Sequence, residues 1–156
     1  MTEDDTREQI ARLRLPGQVK LHWRNESDRR RREIIRAVAS YNLAHLVVVR
    51  PLEHPERSER QRRKCLQRLV DELERLNVFD IRLESRGRAD DRRDVEMLNV
   101  LKTSQAAART RLSHFVGRTE PMLWIPDAVC GAVVSARTGS REYQDVLRDR
   151  LAVINI

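Results

Sequence analysis

Short apolar runs with the period of a strand alternate with longer runs that have the period of a helix. That order constrains the fold more than any other feature of the chain. Residues 45–50, His-Leu-Val-Val-Val-Arg, form a continuous β-branched run of the kind a doubly covered parallel strand requires. Pro51 and Pro55 break the chain after it. From Glu59 to Leu76 the residues Leu66, Leu69, Val70, Leu73 and Leu76 recur at helical spacing. Residues 79–84 then alternate Phe79, Ile81 and Leu83 with Asp80, Arg82 and Glu84, and Gly87 ends the run. A long helix separates the two strands, so residues 45–50 and 79–84 are expected to be parallel neighbours joined by a crossover.

The flanking segments continue the pattern. Residues 1–15 read as a polar N-terminal helix or tail, stopped by Pro16-Gly17. Residues 18–23 alternate Val19, Leu21 and Trp23 with polar residues and read as a half-buried strand. A helix capped between Asn25 and Ser27 carries Ile34, Ile35, Ala37 and Val38 on one stripe. Residues 90–103 predict a helix with acids in its first turn and a stripe of Val95 or Met97, Leu98 and Leu101. A strand over 112–116 follows, then a helix from Pro126 with Asp127 in its first turn. Gly131 inside that helix predicts close packing on the sheet. A helix over 142–150 and a strand over 151–156 close the chain. The expected architecture is one domain over residues 1–156, α/β, a three-layer sheet with helices on both faces.

The length of 156 residues suits one domain. Charged residues reach 35% against 40% hydrophobic, but apolar clusters separate the charge runs, which argues against a disordered chain. No apolar run approaches the length of a membrane span, and the N-terminus lacks the apolar core of a signal peptide. Cys65 and Cys130 stand in apolar surroundings without a CxxC spacing, so they read as buried thiols, and the chain is expected to be cytoplasmic. The net charge is +7, and every basic residue except Lys20, Lys64 and Lys102 is arginine. A codon bias toward arginine produces the same composition. The excess charge draws polyanions in either case, and the guanidinium fork suits phosphate, so nucleic acid is the expected partner and a membrane is not.

No phosphate-binding glycine loop, nucleophile elbow or paired-histidine zinc motif occurs. The four histidines, His22, His45, His54 and His114, show no ligand spacing and read as packed or solvated. The carboxylates carry more information. Glu84 sits at the carboxyl end of a strand, where open α/β sheets gather ligands, and Asp127 opens a helix. Two such acids are candidates to share a divalent metal, Mg²⁺ or Mn²⁺, with Asp91 of the Ala-Asp-Asp-Arg-Arg-Asp run as a further ligand. Arg86, Arg88, Arg92 and Arg93 lie close by in sequence, as a phosphodiester site requires. The plainer readings are a helix-dipole role for Asp127, a solvated strand end for Glu84 beside Arg86 or Arg88, and a solvated first turn for Asp91.

The stretches KLHWRNES, LESRGRADDRRD and LWIPDAVCGAVVSARTG resemble the C-terminal two thirds of a family of uncharacterised bacterial proteins of RNase-H-like type. The resemblance covers roughly residues 15–156, and its most specific part is the Trp-Ile-Pro-Asp-Ala-Val-Cys-Gly-Ala-Val run. It implies an RNase-H-like sheet and a divalent-metal-dependent nuclease-like domain, with Asp127 as the helix-borne acid and Glu84 as the strand-end acid. Lys20 stands where the family often has an acid. The family's opening Asp-Glu strand has no counterpart in this sequence. The expectation is therefore a sheet lacking its opening β-hairpin and a truncated or inactive nuclease. The alternative is a non-catalytic basic module that binds nucleic acid or a protein partner.

Overall fold

Thr2 starts the first helix through a capping box. Its Oγ1 accepts from the Asp5 N–H at 3.1 Å, and its own N–H donates to Asp5 Oδ2 at 2.8 Å, which directs the chain into α1 (Glu3–Arg12). Ser27 caps α2 (Asp28–Ser40) with its side chain alone, the hydroxyl accepting from the Arg30 N–H. The computed structural model describes residues 2–51, 58–104 and 107–156; His54 and the expected break at Pro55 lie outside the described residues. The later elements are β1 (His45–Val49), α3 (Ser58–Arg75), β2 (Asp80–Glu84), α4 (Arg88–Thr103) and β3 (Arg111–Phe115). They are followed by α5 (Trp124–Thr138), α6 (Glu142–Leu147) and β4 (Leu151–Asn155). The protein is α/β, with helix the larger share.

The chain divides into two units, Met1–Val47 with Val116–Ala152, and Val48–Phe115 with Val153–Ile156. The boundary runs through β1 and β4, which pair with each other.

The first unit is helical. α5 packs on α2 and α6, and Ile34, Ile35, Val38, Ala128, Val129, Ala132 and Val133 are buried. The Trp124 indole donates to the Gly117 carbonyl at 2.7 Å and anchors the start of α5. Trp23 meets Tyr143 edge-on at 5.0 Å, and the Arg31 guanidinium lies 5.3 Å from its ring centre.

The second unit is built on a β–α–β crossover. β2 and β3 are parallel, with Ile81 opposite Leu112 and Leu83 opposite His114, and α4 connects them. Asp80 and Arg111, the first pair in register, form a two-pronged ion pair at 2.8 and 3.0 Å. Leu66 and Val70 of α3, Ile81 of β2 and Met97, Leu98 and Leu101 of α4 form one buried cluster. The helical stripe therefore runs through Met97, while Val95 is 39% exposed.

Several expectations are corrected. The described strands form two two-stranded sheets, so the single three-layer sheet is not present among them, and residues 45–50 and 79–84 are not neighbours. β2 takes the next strand along the chain, one helix away, and β1 takes the C-terminal strand. Residues 18–22 make no strand, because the Trp23 N–H goes to a carboxylate and the chain turns into a short 3₁₀ segment, Trp23–Asn25. Leu21 and Trp23 are buried as their alternation implied, yet Val19 is 66% exposed. Gly131 does allow close packing, but against the Trp23 indole. Cys65 is half-buried and burial pushes its thiol pKa up; Cys130 is exposed, since it points off the face of α5 that carries Val129 and Val133. Leu76 lies past the end of α3 and is exposed.

Candidate functional site

The carboxyl ends of β2 and β3 carry a network of charged side chains. Glu84, the last residue of β2, is exposed. The chain then turns through Ser85, Arg86 and Gly87, with φ +105° at Gly87, a backbone region that glycine adopts freely. Asp91 holds this turn. Its Oδ2 accepts from the Ser85 hydroxyl at 2.6 Å and its Oδ1 from the Arg86 N–H at 3.0 Å. The Ser85 hydroxyl first, then the Arg86 N–H, hold the Asp91 carboxyl below its usual range.

Asp94, one turn further along α4, is buried. Its Oδ2 accepts from Arg62 Nη2 at 2.9 Å and lies 3.2 Å from His114 Nε2, and its Oδ1 lies 3.6 Å from Arg86 Nη2. Burial alone raises the carboxyl pKa. The hydrogen bonds from Arg62 and His114 and the charges of Arg62 and Arg86 outweigh it, and the net shift is downward. Of the four arginines expected to meet phosphate, Arg86 is bound to Glu59 at 2.6 Å and Arg93 to Asp90 at 2.6 Å; Arg88 and Arg92 are exposed.

Beside this network a groove of about 740 Å³ runs between α3 and α4. Leu66 and Met97 are its buried aliphatic floor, and exposed Arg60, Arg63 and Arg93 stand on its rim with half-buried Lys64. The arginine run of α2 lies in the first unit. Arg29 and Arg30 bind Glu33, Arg31 binds Asp28 and Arg32 binds Glu142, at 2.6 to 3.3 Å. That run ties the first unit together. The α3 cluster was not singled out in the sequence, where its signal is the run Arg60-Gln61-Arg62-Arg63-Lys64.

Asp127 works in the first unit. Its Oδ2 accepts from the Trp23 N–H at 2.9 Å and lies 2.8 Å from His22 Nδ1, so one carboxylate oxygen fixes the segment leading into α2. The N–H it binds comes from another segment, not from its own helix. Asp127→Ala is expected to lower unfolding stability by about 1–2 kcal/mol, the usual cost of leaving such donors unmatched. Denaturant midpoints check this, and an unchanged midpoint would show that the carboxylate anchors nothing. His22 and His114, read as packed or solvated, each meet an aspartate.

Glu84 and Asp127 belong to different units. Among the described residues, no group of three or more His, Cys, Asp or Glu side chains is placed to hold a metal ion. No described helix is long and apolar enough to cross a membrane. No protein-family model, curated protein or solved structure matches the chain.

Proposed function

We propose that this chain is a non-catalytic basic module that docks a polyanionic partner at the α3–α4 groove. The observation that carries the reading is the charge of the groove. Its lining holds Arg60, Arg62, Arg63, Lys64 and Arg93 against Glu59, Asp94 and Glu96, an excess of positive charge. The net charge of +7 steers a polyanion toward the surface.

A labelled oligonucleotide and a polyglutamate peptide test the reading. Both are expected to bind at low salt. Duplex affinity should fall with a log–log salt slope of about −3 to −4 if roughly four phosphates are contacted. Arg60→Glu with Arg63→Glu should weaken both at least about tenfold, and Arg29→Glu should leave both nearly unchanged. Binding that is absent at low salt, or equal losses from the α2 and α3 variants, would overturn the reading.

The second reading is a divalent-metal-dependent nuclease of RNase-H-like fold, with Glu84, Asp127 and Asp91 as ligands to Mg²⁺ or Mn²⁺. It is favoured by the parallel β2–β3 pair with Glu84 at its carboxyl end. The donor set does not fit the metal as it stands, because Asp91 is engaged by Ser85 and Arg86, and Asp127 by His22 and Trp23. No chemical step is derived through it. Cleavage of the same oligonucleotide with Mg²⁺ or Mn²⁺, abolished by Glu84→Gln, would make this the better reading.

A further inference from the structure

We infer that the paired strands β1 and β4 form an acid-sensitive latch, opened when His45 takes up a proton. His45, the first residue of β1, is buried, at 9% exposure. His22 and His114 each have an aspartate partner; His45 has none among the described residues. The Ile156 N–H donates to the Val49 carbonyl at 3.0 Å, so the carboxyl ends of the two strands meet. Strands joined there run parallel, and their first residues, His45 and Leu151, share the other end. Arg150 immediately precedes Leu151 and enters the pair at the His45 end; both residues belong to the first unit.

The surroundings favour a neutral ring. Apart from His45 itself, neither β1 nor β4 carries an ionisable side chain. Asp149, next to Arg150, is 92% exposed and lies 3.7 Å from the Arg148 guanidinium. Buried Tyr41, at the end of α2, keeps its proton near neutral pH, since burial pushes its phenol up. The charge that bears on the imidazole is that of exposed Arg150. Burial first, then that like charge, hold His45 below its ordinary value of 6.5. An opened strand takes up the proton at 6.5, before the closed one does. The pair is therefore fully stabilised above that pH and loses stability as the pH falls through 6.5 toward the folded value. A charged ring in this place lacks a counter-ion, and separation of β1 from β4 brings it to water. Each strand has one neighbour among the described residues, so few backbone bonds oppose that separation.

Amide hydrogen exchange on the whole chain tests the latch. With the intrinsic pH dependence of exchange removed, the amides of β1 and β4 should lose about threefold or more of their protection between about pH 7.5 and about pH 5, within the roughly tenfold per pH unit that one proton allows. The amides of α2 and α5 should lose less. The imidazole proton signal missing from His45→Gln should titrate below 6.5 in the parent protein. If His45→Gln does not fold, backbone assignment of the parent identifies the same signal. Arg150→Gln alters an exposed side chain and should move the titration toward 6.5 and reduce the loss of protection. An imidazole that titrates at or above 6.5, protection of β1 and β4 that is indifferent to pH, or a titration that Arg150→Gln leaves in place would overturn the latch. Equal losses in α2, α5 and both strands would overturn it too, because they mark unfolding of the whole protein.

Discussion

Gly131→Ala is expected to lower the unfolding free energy of this protein by roughly 3 kcal/mol, at the upper end of the usual cost of an overfilled site. A methyl group at this position would stand 2.2 Å from Trp23 Cδ1 and 2.4 Å from Cγ, far inside contact distance. The indole has little room to retreat, being 6% exposed, met edge-on by Tyr143 and covered by Arg31. Alanine gains about 1 kcal/mol of helix propensity over glycine, and that gain is smaller than the clash. Chemical denaturation of the two proteins checks the sign. A variant as stable as the parent would show that Trp23 does not lie against α5.

Asp94→Ala should cost about 3 kcal/mol, the range found when one partner of a buried ion pair is removed. The carboxylate is the shared partner of Arg62, Arg86 and His114, and its loss leaves the Arg62 charge uncompensated. The pH dependence has a definite sign. The folded pKa of Asp94 lies below its ordinary value of 3.8, so the unfolded chain takes up the proton first. Its contribution is complete above pH 3.8 and is lost as the pH falls toward and through the folded pKa. Urea midpoints measured from neutral pH down into that range should fall less steeply in Asp94→Ala than in the parent protein. Parallel curves would show that other carboxylates carry the acid response.

The helices were legible because their signals are local. Caps at Thr2 and Ser27 and the leucine spacing of α3 need no knowledge of the rest of the chain. Residues 18–23 misled for the same reason. Their alternation is real, but a strand also needs a partner for its backbone, and Asp127 captured the Trp23 N–H from 104 positions away. Strand pairing is non-local in the same sense: residues 45–50 and 79–84 each read as a strand, yet nothing in either run names its neighbour. Gly131 announced a close approach without saying to what. At the candidate site the acids were visible and their partners were not. His114 comes within reach of Asp94 only because β3 lies parallel to β2 in one register. The α3 cations carried no reading in the sequence, because the groove beside them is made with α4.

The division of four strands into two pairs has a consequence for how the protein behaves when crowded. Among the described residues every strand has one neighbour, so each keeps a row of backbone donors and acceptors on its other side. β2 and β3 carry Asp80, Arg82, Glu84 and Arg111 along their length, charges that discourage a second molecule from adding there. The His-Leu-Val-Val-Val and Leu-Ala-Val-Ile-Asn runs of β1 and β4 contain no Asp, Glu, Lys or Arg. Their protection comes from the ends, where Arg50 follows one run and Arg150 precedes the other. Arginines so placed act as gatekeepers, keeping an apolar strand from templating the aggregation of its own copies.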